Sequence, residues 1–201
     1  MLYRVFLLFK KAHFIILLRH YKSLGLSNHR KDTLFSKNIA KVNILRSCIM
    51  PTKVKIKIKD NSELRMKIDE LYEKTNQVDL AKWSLLMAKH ILDIVDIDCN
   101  SIDAIVDGFI VNELWQTGKA RMYDVRQAGF KIHKIARECD SEIEKTALRV
   151  VGQAVSSGHM REHAMVSSDY AIKTIGLISS NDIDAITFER EWQLNELKKF
   201  F

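Results

Sequence analysis

The side chains best placed to do chemistry lie in the pentapeptide His159-Met160-Arg161-Glu162-His163. On a helix, positions i and i+4 share a face. His159 and His163 would then stand one turn apart and could share a metal, with Glu162 beside them. A zinc hydrolase of this kind also needs a distal carboxylate ligand. Only 38 residues follow His163, and Glu189, Glu191 and Glu196 have no recognisable ligand context there. The bland reading has both histidines near a helix N-terminus, hydrogen-bonded to neighbouring helices.

A second grouping is Arg126, Phe130, His133 and Arg137, which fall on one flank of a helical pattern. A histidine flanked by two arginines could receive an anion or an acidic partner. Such a flank can also simply be solvated. Asp124 and Glu144 fall in first helical turns, where the helix dipole accounts for them without catalysis. Cys139 lies on an apolar stripe and reads as a core thiol. Trp83, Trp115 and Trp192 read as core or interface anchors. There is no GxSxG elbow, Walker loop or GxGxxG turn, so no cofactor is expected and nothing demands an enzyme.

The elements that must position these residues read as helices. Ser62 to Thr75 suggests a surface helix with Leu64, Ile68 and Leu71 inward. Asp79 can cap the next, whose stripe is Leu80, Trp83, Met87, Ile91 and Ile94. A third helix opens near Asn100 or Ser101, with Ile102, Ile105, Val106, Phe109 and Ile110 inward, and Gly118 stops it. The span from Met122 to Cys139 has the cleanest period, in Met122, Val125, Gly129, Ile132 and Ala136. Ser141-Glu142-Ile143-Glu144 is a capping box. It opens a helix rich in small residues, which permits close helix–helix approach. Two more helices follow, from about His159 to Ile178 and from Asp182 onward. About six or seven helices with short loops predict an all-α compact bundle or array; a solenoid is the second choice, since no fixed-period repeat is evident.

Before them, Lys53-Val54-Lys55-Ile56-Lys57-Ile58-Lys59 alternates strictly, a strand signal. It predicts a short β arm at 53–59, either a lysine-guarded edge or one that pairs with a partner strand.

Charge is partitioned unevenly. The chain of 201 residues is 47% hydrophobic and 28% charged, with a net charge of +7 and a single proline. Residues 1–50 hold ten Lys or Arg against one acid, Asp32, for +9, and the remainder carries −2. The body therefore shows no electrostatic footprint for nucleic acid. Its mild acidity suits a basic partner, such as a nuclease. Three widely spaced cysteines without a CxxC pattern suit a reducing cytoplasm.

Within the extension, Val5–Phe9 and Phe14–Leu18 are apolar runs split by Lys10 and Lys11. Neither reaches the roughly 20 residues that span a bilayer, and no signal-peptide cleavage site follows. The segment reads as a poorly ordered extension outside the native protein if translation starts at Met50 rather than Met1. Two alternatives are a helix loosely docked on the body and a basic interfacial anchor formed by residues 1–22. The expected organisation is an extension over 1–50, an arm and surface helix over 51–78, and a helical domain over 79–201.

Four segments carry a family resemblance: Asp124-Val125-Arg126-Gln127-Ala128-Gly129-Phe130-Lys131-Ile132-His133-Lys134-Ile135-Ala136-Arg137, then Ala147 to Val155, His159 to Ala164, and Tyr170-Ala171-Ile172-Lys173. Their order resembles the immunity-protein-five-like family of bacterial toxin–immunity systems, over about Leu80 to Leu197. The resemblance implies an all-helical, cytoplasmic protein that neutralises a cognate protein toxin by binding it. The first fifty residues fall outside the pattern. Gln153 stands where family members carry a histidine, which weakens any three-histidine metal site.

Three functions are carried forward. The first is an immunity-type binder with Arg126, His133, Arg137, His159, Arg161 and His163 as binding candidates. The second is a metal-dependent hydrolase using His159, Glu162 and His163, with His159 and His163 as ligands. The third is a membrane-associated protein anchored by residues 1–22. A homodimer stays open, and nucleic acid is not an expected partner.

Overall fold

Short polar side chains set four of the helix starts. Asn61 Oδ1 accepts from the Leu64 amide at 3.1 Å, Asn76 from Asp79 at 3.0 Å, Ser141 Oγ from Glu144 at 3.3 Å, and Asp182 from Asp184 at 3.0 Å. Each satisfies an amide that the helix cannot pair internally, typically stabilising by about 1 kcal/mol. The computed structural model describes residues 52–201. The expectations for residues 1–50, including an anchor at 1–22 and a start at Met50, lie outside the described residues.

Seven α-helices follow in order: α1 (Ser62–Lys74), α2 (Gln77–Val95), α3 (Asp103–Gln116), α4 (Met122–Glu138), α5 (Glu142–Ser156), α6 (Glu162–Ile178) and α7 (Ile183–Lys198), with a 3-10 turn at Cys99–Ser101 before α3. The described residues are all-α, as the periodicity predicts. Asp96 ends α2 in the left-handed conformation, φ 63°. Gly118, at φ 73°, lies just past α3, where a side chain would strain the backbone. The cap of α2 is Asn76 rather than Asp79, because Asp79 already lies inside the helix.

No strand forms among the described residues, so the arm at 53–59 is not β structure. It keeps the predicted alternation, with Ile56 and Ile58 half-buried and the lysines exposed, but no second strand lies beside it to complete a ladder. Pro51–Phe201 forms one unit, with α5 at its centre against α2, α3, α4 and α6, and α1 laid on α7.

Two apolar clusters hold the bundle together. The larger joins Ile91, Ile105, Val125, Ile132, Val151, Ile172 and Ile186 with their neighbours. The smaller joins Ile68, Tyr72, Leu80, Trp83, Met87, Met165, Leu194 and Leu197. Burying each large side chain contributes about 1.5–3 kcal/mol. Trp83 is a core anchor whose Nε1–H donates to the Gln193 carbonyl at 3.0 Å. Trp192 stacks on the His90 ring at 3.8 Å. Cys139 is half-buried against the larger cluster.

The smaller cluster borders a charged interior that periodicity did not show. Arg65 and Asp69, on the inner face of α1, are buried and paired with each other. Arg65 Nε also donates to Asp169 at 2.9 Å. Arg190 on α7 reaches Asp169 at 2.9 Å and Asp60 at 2.6 Å, and donates to Ser168 and Gln193. Burial alone would lower the Arg65 pKa, but Asp169 and Asp69 outweigh it, and the guanidinium stays protonated. Thr52 and Asp60 flank the arm at its two ends, so this network ties those ends to α1, α6 and α7. The segment Ser62–Thr75 is amphipathic: Glu63, Met66, Lys67, Glu70, Glu73 and Lys74 are exposed, and the charged network binds its inner face to the bundle.

No helix among the described residues is long and apolar enough to cross a membrane.

Candidate functional site

The α4–α5 crossing is close because its contact residues are small. A Cβ on Gly129 would collide with Ser156 Oγ, and one on Gly152 would lie 2.5 Å from the His133 ring. The crossing thus has no room for a methyl group, and His133 lies across Gly152. Its imidazole is half-buried, and its Nδ1 is shut from solvent with no hydrogen-bond partner among the described residues. Burial, followed by the positive charge of Arg149, His163 and Arg137, lowers its pKa to about 4.

His163 lies nearby, at the start of α6. Its Nδ1 is 2.6 Å from Gln153 Oε1, which can only accept, so the proton resides on Nδ1. Burial first, and then His159 and Lys55, lower its pKa to about 4, against an opposing pull from Glu162. The His159 and His163 rings lie 5.8 Å apart between centroids, tilted by 36°. Both lowered values describe neutral imidazoles at neutral pH.

The pentapeptide does not lie on one helix. α6 begins at Glu162, and His159 sits in the preceding turn, where its amide donates to the Ser156 carbonyl at 2.9 Å. The histidines meet through that turn rather than by i, i+4 stacking. Glu162 faces outward and pairs with Lys55 at 3.0 Å, with about half of each side chain exposed. Among the described residues no group of three His, Cys, Asp or Glu side chains is placed to hold a metal ion.

Arg161 belongs elsewhere. Its guanidinium donates to the Tyr72 carbonyl at 2.6 Å and lies 4.4 Å above the Tyr72 ring. It clasps the end of α1 to the start of α6, a structural duty that the sequence does not reveal.

Arg126 and Arg137 stand on the outer face of α4, opposite Val125, Ile132 and Ala136. Arg126 lies 5.2 Å over the Phe130 ring. Phe130 is 50% exposed, Tyr123 59% and Met122 55%. Tyr123, Arg126, Phe130, Lys134 and Arg137 follow a spacing of three and four, so they form one stripe along the helix. The six candidates therefore divide into a histidine seam (His133, His159 and His163), an outer face (Arg126 and Arg137) and the Arg161 clasp. Tyr123 and Lys134 were missed by reading the flank from the arginines alone; one turn back from Arg126 finds Tyr123, and the i+4 step from Phe130 finds Lys134.

The fold and these sites define an all-helical bundle with a half-buried histidine seam and a solvent-facing cationic and aromatic helix. The chain belongs to the Imm-5 like putative immunity protein family, whose model matches residues 70–200. No curated protein and no solved structure matches it.

Proposed function

We propose that the protein is an immunity protein that binds a cognate protein toxin in the cytoplasm and neutralises it stoichiometrically. Membership of the immunity family over residues 70–200 carries this reading. Binding of this kind needs a rigid, complementary surface and no bond-making step. The bundle supplies rigidity through two apolar clusters and a paired charged interior. The reading assigns no catalytic residue and no cofactor. The histidine pentapeptide favours no hydrolytic role here, because Glu162 faces solvent in an ion pair with Lys55.

Growth protection tests the reading. Cells induced for the toxin encoded by the adjacent gene should die without this chain and grow with it. Equal killing in both cases would reject it.

A further inference from the structure

The outer stripe of α4 has a composition unlike an ordinary solvated helix face. Two aromatic rings, Tyr123 and Phe130, are at least half exposed, and Met122 flanks them. Arg126, Lys134 and Arg137 interleave with the rings. Between Tyr123 and Arg137 the stripe carries no carboxylate: exposed Glu138, one turn past Lys134, borders its end, and Asp124 is turned aside and held by Arg121, at 2.8 Å and 3.0 Å. Among the described residues, none of Arg126, Lys134 and Arg137 has an ion-pair partner, whereas Lys67, Lys82, Lys89 and Lys199 all do. Exposed Tyr, Phe and Arg are the residue types enriched at the energetic centres of protein interfaces.

We infer that this α4 stripe is the surface that meets the toxin, and that it fits a toxin patch where carboxylates surround an apolar depression. The inference rests on the immunity reading and adds the face and the chemistry of the partner. Phe130, backed by Arg126, enters the depression, and Arg126, Lys134 and Arg137 each meet a carboxylate. Charge decides against a second copy as the occupant. A second copy related by a two-fold axis would set cations against cations. The body's −2 gives the domain a weak preference for basic partners, but a net charge averages over faces, and this face is cationic.

The test titrates the full chain against an inactive form of the toxin encoded by the adjacent gene, and separately against a DNA duplex. The paired variant Arg126→Glu/Arg137→Glu should weaken toxin binding by about a hundredfold, and Phe130→Ala by at least about tenfold. The control Lys67→Glu/Lys198→Glu makes the same charge change elsewhere and should bind within about twofold of the parent. Circular dichroism melts of all variants should agree within about 2 °C, so that lost binding is not lost folding. Toxin binding by the stripe variants equal to that of the parent would overturn the surface and leave the immunity reading standing. Stripe-dependent binding to the duplex, with toxin binding unaffected, would reassign the face to nucleic acid and overturn the inference. Failure of the parent and control alike to bind the toxin would bring down the immunity reading, and this inference with it.

Discussion

Arg190 and Asp169 meet at 2.9 Å with side-chain exposures of 0% and 3%. The guanidinium also serves Asp60, so one side chain from α7 neutralises carboxylates from α6 and from the arm. Removing one member of a buried charge set strands the others without water or partner. That costs about 3–5 kcal/mol, whereas the intact pair need not exceed a hydrophobic substitute. Arg190→Met should therefore lower unfolding stability by that amount, measured by urea denaturation. A loss below about 1 kcal/mol would mean that water already reaches the network.

The contact between His133 and Gly152 gives a coupled prediction. Gly152→Ala puts a methyl group into the imidazole and should cost about 1–3 kcal/mol through overpacking. Truncating the ring removes the obstacle, so His133→Ala should be milder in the Gly152→Ala background than alone. A double-mutant cycle read by thermal melts should give a coupling above about 0.5 kcal/mol. Strict additivity would contradict the close crossing.

Acid should weaken the fold in a defined window. His133 and His163 ionise near pH 4 in the folded chain, against 6.5 when unfolded. As pH falls through 6.5 the unfolded chain takes up protons that the folded chain refuses, so stability drops, and this contribution is fully lost near pH 4. Both rings are partly exposed, so solvent screening limits the effect to about 1 kcal/mol each. Between pH 7 and 5, His133→Gln and His163→Gln should each flatten the decline in denaturation midpoint. A decline as steep in the double variant as in the parent would assign it to other groups.

The helices were legible because their signals are local. Ser141 capping α5, Gly118 past α3 and the Val125–Ala136 stripe of α4 all occupy the predicted places. The charged interior was not legible. Arg65 and Asp69, four residues apart, look like an exposed helical ion pair. Only contact with Asp169, about a hundred residues away, makes them buried. The arm failed as a strand for the same reason: alternation is local, but a ladder needs a partner. Of the candidate site, the grouping of Arg126 with Arg137 could be read from helical spacing. The duty of Arg161 at Tyr72, and the placing of His159 in a turn, depend on how α1, α5 and α6 assemble.

Pro51–Phe201 is a compact unit, and the described members of its two apolar clusters lie at positions 58–200. A chain starting at Pro51 should therefore keep its helical circular dichroism and melt in one cooperative step. Loss of cooperative melting would show that residues 1–50 complete the core.

The proposed role is neutralisation of a toxin by binding it. Calorimetric titration of the purified protein into the toxin encoded beside it tests that role most directly. A one-to-one complex with a dissociation constant of about 10 nM or tighter is expected, at the strong end of standard-sized interfaces, with toxin activity that vanishes at equivalence. No binding at micromolar concentrations, with toxin activity unchanged, would contradict it.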